Sequence, residues 1–333
     1  MRIGLVADPA APSEVADRAR DLEPPSEGDA AWDITVVDEP FALDCEDAET
    51  AVRRLREHAD SQGWDHVVGL TELPLRDQEG AYLLVKRDQD GRAAVVSLPA
   101  LGGVRVHRRA RSTLRGVLAD MTDRTSTDGA RHLPLTGPGG RGRLLLGMVL
   151  ANRPWLLVPG LKSALVAALA TGAIAIINST VWQLAGSMSW WRLTVATVAS
   201  IALVVGWIVV DGELWDRPDD DSRHARERSV LYNTSTLLTL AVGVVTCYVA
   251  LLLVNLVWAW FVLDPGVLSS TVRQPVGAGD LVKLAWFVAS AATVGGALGT
   301  GLESDEAIRA AAYSKREEER RARLAGEGNG GGG

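Results

Sequence analysis

The chain has 333 residues, a formal net charge of −7 and two cysteines. This length suggests two domains, and the composition changes from a charged first part to an apolar second half. The acidic balance gives no support to nucleic-acid binding. Cys45 and Cys247 lie one in each half, which excludes a disulfide framework. We therefore expect a cytoplasmic domain followed by a membrane domain.

The first part of the chain alternates strand and helix patterns. Short β-branched runs predict five strands, and apolar residues at helical spacing predict three helices. The strands are expected over Met1–Asp8, Trp32–Asp38, Trp64–Thr71, Tyr82–Lys86 and Ala93–Leu98, and the helices over Ser13–Asp21, Asp47–Ser61 and Arg105–Met121. This order is the βαβ pattern, which implies a mainly parallel sheet with right-handed crossovers. We predict a small cytoplasmic α/β domain over residues 1–121.

Polar side chains stand at the ends of several predicted strands. Asp8 closes the first strand, Thr71 and Glu72 close the third in chain order, and Ser97 lies near the end of the last. In open α/β sheets, ligands bind beyond the carboxyl ends of the strands. We interpret these four residues as candidate ligand-binding residues. The alternative is that they solvate strand ends and cap helices, as they would in any α/β fold.

Two short segments connect this domain to the apolar half. Residues 122–143 are rich in Gly, Pro, Ser and Thr without periodicity, which predicts a flexible linker. Gly137–Gly142 matches G-x-G-x-x-G, but a proline-rich stretch precedes it and no strand does, so we predict no dinucleotide site and no cofactor. Residues 144–155 are apolar but too short to span a bilayer. We predict an interfacial helix on the cytoplasmic leaflet, stopped by Pro154.

Four long apolar stretches dominate residues 156–303. They are Leu161–Leu184, Leu193–Val210, Leu237–Leu263 and Leu281–Leu302. About 20 helical residues cross the hydrocarbon core of a bilayer, and none of the stretches shows the polar stripe of a soluble amphipathic helix. We therefore predict an α-helical bundle of four transmembrane spans, with the lipid bilayer as its main partner.

The basic residues predict the orientation of these spans. Arginine and lysine near membrane ends stay on the cytoplasmic side. Arg141, Arg143 and Arg153 precede the first stretch, several arginines between Arg217 and Arg228 separate the second from the third, and the tail 304–333 is basic. We expect both termini to be cytoplasmic in a multi-pass protein of the cell membrane, with the Gly-rich end of the tail disordered.

Two asparagines stand out in the apolar stretches. Asn178 lies toward the outer end of the first stretch, and Asn255 lies deep in the third. In a transporter they would contact a substrate or an ion. The alternative is hydrogen bonding between helices, worth about 1 kcal/mol each.

Small residues recur at four-residue spacing in the first and fourth stretches. Gly172 belongs to the first set, and Gly295 and Gly299 belong to the fourth. Such residues let helix backbones approach closely. They predict tight packing within one chain or between the chains of a homo-oligomer.

Several sequence blocks resemble a family of actinobacterial multi-pass membrane proteins of uncharacterised function. The blocks are RIGLVADPAAPSE, GWDHVVGLTELPL, VVSLPALGGVRVHRR, ANRPWLLVPGLKSALVAALATGA, LYNTSTLLTLAVGV and VASAATVGGALGTGLESDEAIRAAAY. Some members are labelled 5,10-methylene-tetrahydrofolate dehydrogenase. The resemblance implies a membrane protein and supplies no catalytic residues.

Three hypotheses of function remain open at this point. The first is a non-catalytic membrane protein with a cytoplasmic α/β domain, acting in sensing, scaffolding or envelope homeostasis. The second is a small transporter or channel component that uses the asparagines and glycines of the spans. The third is an enzyme that binds a metabolite on the α/β domain.

The five histidines form no zinc motif, so the sequence implies no metal site.

Overall fold

The computed structural model describes residues 1–24, 31–41, 47–77, 81–103, 105–122, 133–134, 137–152, 154–218, 223–272 and 276–299. These residues form two compact units, of which the first ends at Ala151 and the second begins at Asn152. Each unit has buried apolar clusters of its own, so each is described by itself.

The first unit alternates strands and helices. Its elements are β1 (Arg2–Ala7), α1 (Ala11–Asp17), β2 (Asp33–Asp38), α2 (Ala48–Gln62), β3 (His66–Thr71), β4 (Leu75–Arg76), β5 (Tyr82–Arg87), β6 (Ala93–Ser97), a 3-10 turn (Pro99–Leu101), α3 (Val106–Thr122), β7 (Leu133–Pro134) and α4 (Gly137–Ala151). The five strands expected from the sequence correspond to β1, β2, β3, β5 and β6. The two-residue strands β4 and β7 are additional.

The strands form one mixed sheet in the order β2-β1-β3-β6-β5-β4, and β7 pairs with β5. β2, β1, β3 and β6 are parallel to one another. β5 is antiparallel to β6, β4 and β7. The mixed character arises because a short turn joins β5 to β6, and such a connection permits only antiparallel pairing.

Local sequence determines both ends of α2. The Asp47 side chain accepts hydrogen bonds from the backbone N–H groups of Glu49 (3.4 Å) and Thr50 (3.0 Å), which satisfies two donors at the helix start. Gly63 ends the helix with a φ of 66°, a conformation that glycine adopts without strain. One face of the helix then packs on the sheet through Ala48, Ala51, Val52, Leu55 and Ala59.

Helix α4 begins inside the predicted linker and ends inside the predicted interfacial segment. It packs on the 3-10 turn so closely that a Cβ on Gly147 would overlap the Pro99 carbonyl. A Cβ on Gly103 would likewise overlap the Leu150 side chain. The chain therefore leaves the α/β unit as a helix that begins at Gly137 and packs on the unit through Gly147 and Leu150.

The second unit is helical. After a 3-10 turn (Pro154–Leu156), it contains α5 (Leu157–Gly160), α6 (Lys162–Ile176), α7 (Ser179–Ser187), α8 (Trp190–Asp211), α9 (Arg223–Val262), α10 (Pro265–Val272) and α11 (Ala278–Gly299). The first predicted span, Leu161–Leu184, is split because α6 ends at Ile176. The third begins earlier than predicted, since α9 starts at Arg223.

Two helices of this unit are long and apolar enough to cross a membrane. They are Trp190–Asp211, with a mean hydropathy of 2.4, and Ala225–Val262, with 2.6. Gly139–Gly160 and Lys162–Ile176 form a third candidate, a pair bent by 54°. Within the described part of the chain there are thus two or three candidate spans where the sequence predicts four. The helix α11, which overlaps the fourth predicted stretch, is not among them.

Candidate functional site

The strand order creates a switch point in the sheet beside β1. β1 pairs with β2 on one side and with β3 on the other. The helix that leads to β2, α1, packs on one face of the sheet, and α2, which leads to β3, packs on the opposite face. In open α/β sheets, the crevice at such a reversal, beyond the carboxyl ends of the strands, is where ligands bind.

Three of the four candidate ligand-binding residues lie together at this edge. The Asp8 N–H donates to the Leu70 carbonyl (3.0 Å), and Thr71 is the register partner of Ser97 on the neighbouring strand β6. Asp8, Thr71 and Ser97 are each at most 2% exposed. The carboxyl ends of β1, β3 and β6 therefore carry a contiguous row of buried polar side chains.

These side chains bind the loops that cover the strand ends. The Leu73 N–H donates to Thr71 Oγ1 (3.1 Å), and Ser97 Oγ donates to the Leu73 carbonyl (2.8 Å). The Phe41 N–H donates to Asp8 Oδ1 (3.3 Å). Glu72, the fourth candidate, is only partly buried. In this conformation the row of hydroxyl groups fastens the loop after β3 over the edge.

The β1–α1 connection at the same edge has an unusual backbone. Ala10 has a φ of 78°, although it carries a side chain. Such conformations cost about 1–3 kcal/mol and cluster at binding sites and switch regions. The strained residue lies two positions after Asp8, so the strain and the buried carboxylate belong to the same loop.

Buried cations on the neighbouring hairpin escape detection in the sequence. Lys86 Nζ of β5 lies 3.3 Å from Glu49 Oε1 in the first turn of α2. The Arg76 guanidinium carbon lies 4.5 Å from the centre of the Tyr82 ring, and Arg76 also donates to the Tyr82 hydroxyl. Long cationic side chains are almost never buried unless they are paired. No local pattern predicts these pairs, because the partner of Lys86 lies on a different element.

Hydrogen bonds at the start of α2 hold a carboxylate in its charged form. Burial raises the pKa of Asp47, but hydrogen bonds from Thr50 and Glu49 outweigh it, so the pKa lies below its usual value. The backbone of Asp47 also forms an isolated parallel β-bridge with Arg76 of β4. The start of α2 is thus linked to the sheet next to the buried cations.

The two asparagines of the helical unit have different surroundings. Asn178 is exposed and caps α7, since its Oδ1 accepts from the Thr180 N–H (2.9 Å). Asn255 is buried in α9, and its Nδ2 donates to the Leu251 carbonyl (2.8 Å). A Cβ on Gly172 of α6 would overlap the Asn255 amide. Gly172 therefore permits a close approach of α6 to α9.

Of the small residues at four-residue spacing in α11, Gly296 makes the close contact and Gly295 does not. A Cβ on Gly296 would lie 3.0 Å from the Ala164 carbonyl oxygen of α6 and 3.2 Å from the Ala168 Cβ. A Cβ on Gly295 would have only ordinary contacts, with Thr171 at 3.9 Å. The side-chain surroundings of Gly299 lie outside what the structure describes.

Hydroxyl groups from three helices meet inside the helical unit. Thr197 Oγ1 of α8 lies 2.9 Å from the Tyr248 hydroxyl of α9, which lies 2.9 Å from Ser290 Oγ of α11. Trp286 Nε1 donates to Thr197 Oγ1 (2.6 Å). A mainly apolar cavity of about 40 Å³, lined by α6, α8, α9 and α11, adjoins Tyr248 and Thr293.

Among the described residues, no group of three or more His, Cys, Asp or Glu side chains is placed to hold a metal ion. Comparisons with protein-family models, with curated proteins and with solved structures gave no match. The family resemblance seen in the sequence therefore stays a prediction, and the candidate sites rest on the geometry of this chain alone.

Proposed function

We propose that this chain is a multi-pass membrane protein whose cytoplasmic α/β unit senses a small polar ligand at the carboxyl edge of its sheet. In this proposal α4 relays the bound state to the membrane helices. The observation that carries the proposal is the short path from the edge to α4. Ser97 ends β6, and the 3-10 turn Pro99–Leu101 that follows packs directly on Gly147 of α4.

The hydrogen bonds at the edge suggest how a ligand acts. Thr71 and Ser97 hold the Leu73 backbone, and Asp8 holds Phe41. A ligand with hydroxyl, amine or carboxylate groups can replace these loop contacts without leaving a buried polar group unsatisfied. Because Ser97 lies two residues before Pro99, release of the loop changes the support of the turn on which α4 rests.

The membrane part of the proposal takes α11 as a fourth span and places both termini in the cytoplasm. The distribution of arginines along the chain supports this orientation. Reporter fusions after Leu263 and after Gly333 should report opposite sides of the membrane. If both reporters lie on the same side, the four-span arrangement is wrong.

The sensing role is testable on the full chain in lipid nanodiscs. A thermal-shift screen with nucleotides, folates and divalent cations should identify a compound class that stabilises the α/β unit. Asp8→Asn and Ser97→Ala should abolish that shift. Ser61→Ala is the control, since Ser61 is an exposed serine at the end of α2. A shift that survives Asp8→Asn and Ser97→Ala would place the ligand elsewhere and refute the proposed site.

The relay through α4 has its own matched pair of variants. Gly147→Ala forces a side chain against Pro99, whereas a Cβ on Gly142 of the same helix meets no atom within 4 Å. Ligand should alter amide exchange in α6 of the wild-type protein and of Gly142→Ala, but not of Gly147→Ala. An identical response in all three would show that α4 does not carry the change.

A transporter or channel component is the second candidate, and the hydroxyl cluster beside the cavity favours it. Tyr248 joins Thr197 to Ser290 across three helices. Tyr248→Phe removes only the hydroxyl, so it should lower solute or ion flux into proteoliposomes if the cluster lines a path. Flux that is absent in the wild type, or equal in both proteins, would leave the cluster with a packing role.

A further inference from the structure

The start of α3 presents a cluster of arginines that form no ion pair with the residues that the structure describes. Arg108 and Arg109 are exposed in the first turn of α3, and the exposed Arg105 immediately precedes the helix. Arg143 of α4 joins them: a Cβ on Gly102 would lie 2.9 Å from Arg143 Cγ and 3.3 Å from Arg109 Nη1. We call these four residues the basic face.

Other arginines on the same helix differ from the basic face in having partners. Arg111 pairs with Asp21 (2.6 Å), and Arg115 Nε donates to the Glu23 carbonyl (3.3 Å). On the basic face, Arg109 Nη1 donates a hydrogen bond to the Leu101 carbonyl (2.9 Å). Among the described residues, no carboxylate pairs with any of the four arginines. In the described part of the chain, no carboxylate thus compensates these four cations.

This arrangement is electrostatically unfavourable in the isolated unit. Like charges that lie close together repel each other. The first turn of α3 contains no acidic residue, and the N-terminal end of a helix is itself partially positive. An anionic surface placed against the basic face relieves both effects.

We propose that the basic face binds the anionic lipid headgroups of the leaflet that adjoins the α/β unit. The position of α4 in the chain favours a lipid surface over a soluble anion. Arg143 lies about 12 Å along α4 from Ala151, and only Asn152 and Arg153 separate α4 from the turn that opens the second unit. The chain thereby keeps the basic face at a high local concentration of headgroups.

The test compares the full chain in phosphatidylcholine nanodiscs with nanodiscs that also contain phosphatidylglycerol. Amide exchange in the first two turns of α3 should be slower with the anionic lipid, and high salt should remove the difference. A juxtamembrane arginine changes binding to an anionic leaflet by about fivefold. The pair Arg108→Gln and Arg143→Gln should therefore lower the docked population by about thirtyfold at full additivity.

The control removes two other exposed arginines of the same unit, Arg18→Gln and Arg53→Gln, and should leave the lipid effect unchanged. Unaltered exchange in β3 verifies that each variant is folded. Equal exchange in both lipids, or an equal loss in the control pair, would overturn the proposal. So would equal protection by inorganic phosphate in phosphatidylcholine discs, which would show that the face binds a free anion.

Discussion

The contact between Gly172 and Asn255 gives a prediction with a defined magnitude. A Cβ on Gly172 would lie 3.1 Å from both Cγ and Nδ2 of Asn255, and closer still to Oδ1. Overpacking of this kind costs about 1–3 kcal/mol. We therefore expect Gly172→Ala to lower the free energy of unfolding of the helical unit by about 1–3 kcal/mol, even though alanine favours helix formation.

A double-mutant cycle isolates the cause. Asn255→Ala alone removes the bond to Leu251 within α9, at a cost of about 1 kcal/mol. In the Asn255→Ala background, Gly172→Ala should cost at least about 1 kcal/mol less than in the wild type, because the overlapping amide is gone. The assay is unfolding of the full chain in detergent, followed by circular dichroism.

Gly206→Ala serves as the matched control for this cycle. A Cβ on Gly206 of α8 meets no atom within 4 Å. Its substitution should therefore be neutral or stabilise the helix by up to about 1 kcal/mol. The steric explanation is refuted if Gly172→Ala costs the same in both backgrounds, or if Gly206→Ala is equally harmful.

Three further predictions follow from contacts elsewhere in the chain. In detergent, Gly296→Leu should destabilise the helical unit more than Gly295→Leu, since only Gly296 lies against the backbone of α6; equal effects would contradict this. Asp47→Ala should lower stability by about 1 kcal/mol in urea unfolding, because α2 loses its cap. Burial lowers the pKa of His66 in the folded protein below 6.5. The unfolded chain therefore binds more protons, and the free energy of unfolding should fall as the pH drops through 6.5. In His66→Gln this fall should be smaller.

The strand ends of the α/β unit could be predicted because their signal is local. β-branched runs ending in Asp8 and Thr71 predict strands, and the carboxyl ends of parallel strands meet at one edge. The use of these polar groups could not be predicted. Leu73 lies between Thr71 and Ser97 only because the loop after β3 folds back over the edge, and that path depends on contacts remote in sequence.

The helix ends of the second unit were harder to predict, because hydropathy does not distinguish a capping residue from a residue inside an apolar helix. Asn178 falls in an apolar stretch, yet it caps α7; Asn followed by Ser and Thr is a local cap signal. At the polar start of α9, by contrast, an asparagine binds a residue that is remote in sequence. Asn233 accepts from the Asp216 N–H (2.8 Å) and donates to the Asp216 carbonyl (2.9 Å), a tertiary contact that no sequence pattern announces.

Helix α4 gives the α/β unit a structured end where the sequence predicts a flexible linker. Glycine and proline disfavour helices, so residues 137–143 read as a flexible linker in the sequence. Tertiary packing of Gly147 on Pro99 and of Leu150 on Gly103 instead holds α4 on the unit as a helix. A flexible linker absorbs a displacement through its own backbone rotations. A packed helix must either move with the turn that supports it or lose the contact, which is why the relay proposed for α4 can be tested with Gly147→Ala.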